Sequence, residues 1–295
     1  MSGRRPLAAL TLALLLTAAA GASPTWLPPT RLSPSDRALG PELAVNAAGA
    51  AVVVWDHEAG ADCPTQPASL SCIHIVEAVT RSLSTASWQS PIEVARPGIG
   101  AAPRVAIDPG GDAAIVWIHD IGQDRVLQAT IRPAGSPAWP NANDLSGSPL
   151  QIKNHAVGLD AAGNAVAVWA QRDNLSFYVV GDLRPAAGGV WLAPVALSSV
   201  SSDASGGPAL AIVRSGEVLV AWIDGGALRA ARGNAATGVW DTAVSPASGG
   251  VSADTDVEVA LNPAGDAVIA WSWRRNSTGA NIVQATFRPA GGNWG

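Results

Sequence analysis

Ten of the chain's twelve tryptophans stand on two interleaved ladders. Trp55, Trp117, Trp169, Trp222 and Trp271 form the first, with steps of 62, 52, 53 and 49 residues. Trp88, Trp139, Trp191, Trp240 and Trp294 form the second, with steps of 51, 52, 49 and 54. A period near fifty residues marks a repeat architecture, in which each unit covers its apolar faces with its neighbours. Few other arrangements accommodate so regular a spacing of the largest side chain.

Aligned on the first ladder, the units share one pattern. Residues 41–55 read PELAVNAAGAAVVVW, 103–117 PRVAIDPGGDAAIVW, 155–169 HAVGLDAAGNAVAVW, 208–222 PALAIVRSGEVLVAW and 257–271 VEVALNPAGDAVIAW. Each is a short apolar run, a tight turn and a second apolar run ending in tryptophan. Asn46, Asp108, Asp160 and Asn262 stand three residues before Gly49, Gly111, Gly163 and Gly265. An Asx side chain bonds the backbone of its own turn, and glycine takes the positive φ that closes a hairpin. The fourth unit has Val213 at the Asx position but keeps Gly216.

The runs are too short for helices and read as strands. The second is apolar at nearly every position, as in Val52-Val53-Val54-Trp55, so both of its faces need cover. With no helical pattern to supply it, other sheets must, which predicts an all-β β-propeller. Third strands are expected at 73–80, 125–131, 177–183, 227–231 and 281–287, and fourth strands after each second-ladder tryptophan. Four-stranded blades fall at about 41–95, 103–146, 155–198, 208–247 and 257–295. The last lacks a fourth strand, while 26–33, WLPPTRLS, looks like a fourth strand alone. Pairing the two would close five blades into a ring without leaving an edge. The alternative is a piece of a longer array.

The N-terminus predicts export. Arg4 and Arg5 precede an apolar stretch from Leu7 to Ala20, and small residues offer cleavage near 20–23, the form of a secretory signal. Residues 1–23 are thus a signal peptide and 24–295 the propeller, with an uncleaved anchor as the alternative. No later segment is long enough to span a membrane. The protein is expected outside the cell or on its envelope, as a monomer. Cys63 and Cys72 are the only cysteines; in an exported chain they predict a disulfide, against two free thiols. A net charge of −5 leaves no basic footprint for nucleic acid. One lysine, Lys153, against seventeen arginines suggests a GC-rich bacterial genome.

The turn before each second-ladder tryptophan carries a resemblance. RPAGSPAW (132–139), RPAAGGVW (184–191) and RPAGGNW (288–294) occupy the place of the Asp-box of sialidase-type repeats, and Thr237 to Trp240 has a similar setting. Over residues 26–295 the chain resembles a degenerate sialidase-like propeller, and the Trp-rich repeat proteins exported by actinobacteria. The box's serine and aspartate are replaced by Arg-Pro-Ala, so the resemblance supports a fold and carries no catalytic implication. Kelch repeats share the period but need a tyrosine partner, and Tyr178 is the only tyrosine.

The resemblance also implies a binding face, built from second-to-third and fourth-to-first strand loops. Residues just past the first ladder fall there: Asp56, His57, Glu58, His119, Asp120, Arg172, Asp173, Asp224, Arg274 and Arg275. Polar tips of solvent-facing hairpins are the plain alternative. The tryptophans are expected to pack between blades, except Trp273, off both ladders and a candidate for an exposed ring. Sialidase chemistry, by resemblance, needs an arginine triad and a tyrosine nucleophile; Tyr178 lies inside a strand. Asp56 or Glu58 with Asp120 could instead be the carboxyl pair of an ordinary glycoside hydrolase. The turn pairs Asp108/Asp112, Asp160/Asn164 and Asn262/Asp266 offer too few oxygens for calcium, so no metal is expected, and no motif calls for a cofactor. The expected function is an exported, non-catalytic module binding a glycan or surface protein. A divergent sialidase-like glycosidase and a structural envelope protein are the alternatives.

Overall fold

The computed structural model describes residues 27–34, 36–59, 72–82, 87–98, 101–121, 124–147, 151–172, 176–199, 207–247, 256–274 and 280–295. Met1–Arg31 and Leu32–Gly295 are separate units. Of the first, the described residues 27–31 form no strand. The second consists of strands, with no helix among the described residues.

Five antiparallel sheets follow one another along the chain. The first holds β1 (Ala38–Val45), β2 (Ala51–Ala59), β3 (Ile73–Arg81) and β4 (Ile92–Gly98). The second holds β5 (Arg104–Ile107), β6 (Ala113–Ile121), β7 (Asp124–Arg132) and β8 (Asn143–Asp144). The third holds β9 (Gln151–Leu159), β10 (Ala165–Arg172), β11 (Tyr178–Arg184) and β12 (Val195–Ala196). The fourth holds β13 (Ala209–Ile212), β14 (Glu217–Asp224), β15 (Ala227–Asn234) and β16 (Val239–Trp240). The last holds β17 (Val257–Leu261), β18 (Ala267–Arg274) and β19 (Asn281–Arg288). Within each sheet the strands lie in sequence order. Neighbouring sheets meet mainly through their first strands, β1 with β5, β5 with β9, β9 with β13 and β13 with β17, which therefore line the inside of the array.

The apolar second strands are buried on both faces, as β10 is from Ala165 to Ala170. Alternation divides their residues. Each first-ladder tryptophan, with the residue two before it, faces the preceding sheet; the residues before and after it face the following one. Thus Ile115 and Trp117 pack with Val54, Val76 and Ala78. Ala167 and Trp169 pack with Val116, Ile118 and Leu127. Val218, Val220 and Trp222 pack with Val166, Val168 and Val179, and Ile269 and Trp271 with Leu219, Ala221 and Ile223. Second-ladder rings Trp139, Trp191, Trp240 and Trp294 join the same junctions, half-buried. Eight of the ten ladder rings, all but Trp55 and Trp88, thus pack between sheets. Trp273 is not the exposed ring expected of it. It lies on the face of Trp271, two residues on, and packs into the junction between the fourth and last sheets.

The turns behave as their chemistry requires. Asp108 Oδ1 accepts from the amides of Gly111 and Asp112, and Asp160 Oδ1 from those of Ala162 and Asn164. Asn46 and Asn262 do the same. The second member of each polar pair ties this turn to the next within its sheet: Asp112, Asn164 and Asp266 accept from the amides of Ala134, Ala186 and Ala290. The arginine of the RPA turn lies over its tryptophan, Arg132 5.3 Å from the Trp139 centroid and Arg288 5.7 Å from that of Trp294.

Trp240 needs two glycines. A Cβ on Gly181 would stand 2.7 Å from its ring, and one on Gly233 2.6 Å. Gly181→Val should therefore destabilise the protein by about 1–3 kcal/mol through overpacking, read as a lower denaturant midpoint at unchanged slope.

The expected ring closure is absent from the strand pairings. The last sheet has three strands, and residues 27–33 form none. Among the described residues, β1 and β17 do not belong to the first strands that pack extensively on each other. Trp26 and Cys63 lie outside the described residues; Cys72 is buried.

Candidate functional site

A cavity of about 410 Å³ opens at the end of the array where the second strands finish. Three consecutive first strands floor it: Leu39 and Gly40 of β1, Ala102 to Arg104 at the start of β5, and Ile152 to His155 of β9. Asp56, Ile118 and Arg125 complete the wall.

All three inner strands are irregular at this level. β1 shifts register between Leu39 and Glu42, with Gly40 at φ 54°. On β9, His155 opposes Trp169 and Lys153 opposes Ala170, leaving Asn154 as an extra residue at φ 46°. Ala102, just before β5, has φ 41°. Ala102 and Asn154 are the only non-glycine residues with positive φ among those described. Left-handed backbone at such residues costs free energy, and bulges re-aim side chains, so both concentrate at working surfaces. Here the bulge places Lys153, Asn154 and His155 in succession on the cavity wall.

Charge converges on the same place. Asp56 is bound by His74, whose Nδ1 lies 2.7 Å from Oδ2. That hydrogen bond, with the charges of Asp56, Glu58 and Asp120, raises the His74 pKa against the opposing effect of burial. Asp120 accepts from Arg125 Nε at 3.0 Å, and Glu42 pairs with Arg104 across the first junction. Lys153 Nζ sits 3.9 Å over the Phe177 ring, which Arg172 also approaches at 5.4 Å. His155 donates Nε2–H to the Ala102 carbonyl at 2.7 Å. Burial, with the Arg104 charge behind it, lowers its pKa to about 4. It is neutral at pH 7, and its Nδ1 has no hydrogen-bond partner.

The structure sorts the sequence candidates. Asp56, Glu58 and Asp120 act together on His74. His57 lies on the opposite face of the first sheet, bonded to Glu77, which also accepts from Trp55 Nε1. His119, half-buried, and Arg172 share a level with the site but do not line the cavity. Asp224 ends a two-residue hairpin, closed through Gly225 and Gly226, and pairs with Ala227; it too lies off the cavity. Asp173 and Arg275 fall outside the described residues, and Arg274 is placed only as the end of β18. Sequence reasoning missed His74, Arg104, Arg125, Lys153, Asn154 and His155. All sit in strands or at strand starts, where alternation alone makes them ordinary; only the extra residue on β9 marks them.

A second cavity, about 460 Å³, lies at the opposite end between the first two sheets. It is lined by turn residues, and its Arg132 is committed to the Ser136 carbonyl. It gathers no comparable set of charges.

No family model matches the sequence, and no curated protein matches it. Solved structures do. A protein of unknown function from Dyadobacter fermentans superposes with a TM-score of 0.52 at 13% identity, over 86% of this chain and 79% of that one. The polysaccharide lyase Uly1 superposes with a TM-score of 0.53 at 9% identity, over 85% of this chain and 58% of its own. The NanB sialidase of Streptococcus pneumoniae is more distant, at a TM-score of 0.45 and 7% identity over 91% of this chain and 64% of its own. The chain thus spans under two thirds of the length of both enzymes. The likenesses to the Dyadobacter protein and to Uly1 show a shared all-β fold, and nothing of chemistry.

Proposed function

We propose that this protein is an exported, non-catalytic propeller module that binds a glycan in the cavity floored by β1, β5 and β9. The observation that carries the reading is the run of left-handed backbone at Gly40, Ala102 and Asn154 around one polar cavity. Arg104, Arg125 and Lys153 supply donors there, and charge-assisted hydrogen bonds are the stronger class. Binding is favoured over hydrolysis because the carboxylates are committed. Among the carboxylates of the described residues Asp56 lines the cavity, held by His74, while Asp120 and Glu42 are held by arginines; glycoside hydrolysis needs two carboxyls free to work on the substrate. Export of 24–295 after removal of 1–23, and a Cys63–Cys72 bridge, belong to the same reading.

A glycan array probed with residues 24–295 tests it. Binding to one sugar class is expected, and Lys153→Met or Arg125→Ala should each weaken it about 10-fold in titration with that sugar. A blank array would favour a surface-protein ligand. Turnover of a glycoside, lost in Asp56→Asn, would establish the divergent glycosidase instead.

A further inference from the structure

The repeat sets an acid of one sheet against the arginine of the next, and the first junction has the arginine without the acid. By strand alternation, the residue five before each first-ladder tryptophan faces the following sheet, as the residues one and three before it do. Those residues are Ala50, Asp112, Asn164 and Glu217 in the first four sheets. From the next sheet, the third-strand position opposite the residue four before its own tryptophan faces back towards them. It is Arg132 opposite Ala113, Arg184 opposite Ala165, Gly233 opposite Val218 and Arg288 opposite Ala267.

Charge follows charge across three of these four junctions. Glu217 Oε1 accepts from Arg288 Nη2 at 3.4 Å. Burial lowers the Arg184 pKa, and the charge of Asp112 works against that lowering. Where glycine replaces arginine, at 233, the preceding residue is the neutral Asn164. The first junction breaks the rule, with Arg132 facing Ala50. The turn glycines record the same gap. A Cβ on Gly163 would stand 3.7 Å from Asp112 Oδ2, and one on Gly265 3.4 Å from Glu217 Oε2, whereas one on Gly111 would meet only the Ala134 side chain.

A cavity occupies the place of the missing carboxylate. It is the one of about 460 Å³ between the first two sheets, and Ala50, Gly111 and Arg132 all line it, with Arg81 and Ser136. None of the described residues lining it is acidic. Arg132 is 7% exposed; burial lowers its pKa, opposed by the charge of Asp112. Its Nη1 donates to the Ser136 carbonyl at 2.6 Å, while its Nε has no hydrogen-bond partner. It joins no ion pair among the described residues. A buried cation with no counter-ion in contact is costly, and a carboxylate brought by a ligand would offset that cost.

We propose that this cavity binds a small carboxylic acid, whose carboxylate takes the position against Arg132 that Glu217 takes against Arg288. Carboxylate is the anion the repeat itself uses there, and its planar shape matches the N–H groups of a guanidinium. The volume leaves room for the body of such a ligand beyond its charged group. The site lies at the end of the array opposite the proposed glycan cavity and is independent of it.

Thermal denaturation of the protein in glutarate, at ionic strength held constant with sodium chloride, tests the proposal. Glutarate should raise the melting temperature saturably, with half-saturation at about 1 mM, and its neutral counterpart glutaramide should not. Arg132→Gln should weaken glutarate about 10-fold or more. Ala50→Glu restores the missing acid from within. It should raise the melting temperature in plain buffer and abolish the response to glutarate, and it decides the matter even where Arg132→Gln disturbs the fold. In the wild type the Arg132 Nε–H resonance should move during the titration with the same midpoint. No saturable response to glutarate would overturn the proposal, as would a response shared by glutaramide or one that survives Ala50→Glu unchanged.

Discussion

Replacing Trp222 with alanine is expected to remove about 3–5 kcal/mol of stability, a large share of the roughly 5–15 kcal/mol typical of a domain. The ring is fully buried between the third and fourth sheets, against Val166, Val168 and Val179. Neither sheet can collapse into the void without shearing its own hydrogen-bond ladder, so the cavity cost comes on top of the lost transfer energy. Trp240→Ala, from the half-buried ladder, should cost about half as much. Denaturant melts of the two variants check the order, and equal losses would mean the ladders do equivalent work. Phenylalanine sharpens the comparison. Trp222 Nε1 has no hydrogen-bond partner, whereas Trp169 Nε1 donates to Gln171 at 2.6 Å. Trp222→Phe should accordingly be the milder change, because Trp169→Phe also removes the hydrogen bond to Gln171.

Asp182 should make the protein more stable in mild acid than its other carboxylates would suggest. It sits on β11 opposite Ala167, 1% exposed, and burial raises its pKa to about 7 despite the backbone amides of Leu183 and Leu192 nearby. A folded pKa above the unfolded one means that the folded state holds the proton more tightly. The contribution is complete below the unfolded value of 3.8, declines as pH rises towards about 7, and is gone above it. Three pH units correspond to an upper bound of about 4 kcal/mol. Asp182→Asn keeps an acceptor for the two amides and removes the charge. The difference in stability between wild type and variant should therefore shift in the variant's favour by about 2–4 kcal/mol between pH 4 and pH 8. Taking that difference cancels His74 and His155, which titrate in both proteins. A difference independent of pH would show that Asp182 is ionised in the folded state throughout.

The repeat was legible because it is a packing rule written once per unit. A strand apolar at every position, such as Ala165 to Trp169, has to be covered twice, and only sheets were available to cover it. The Asx-to-glycine spacing fixed the turns for the same local reason, and the structure adds only that Asp112, Asn164 and Asp266 lash neighbouring turns together. Trp273 was misread because its place off the ladders hid its parity with Trp271, two residues away on the same face.

The site was half legible. Asp56, Glu58 and Asp120 could be placed at one end of the array by counting past the tryptophans. Their partners could not, since His74 and Arg125 come from third strands whose register is a matter of pairing.

From its own pattern, then, the sequence determined the strands, their turns and the ladders that bind sheet to sheet, because each depends on burial and backbone preference within a few residues. Tertiary structure alone decided where the bulge on β9 aims Lys153 and His155, and which carboxylates are paired with His74, Arg104 and Arg125. Those outcomes depend on strand register and on contacts between sheets, long-range quantities that no local stretch of residues encodes.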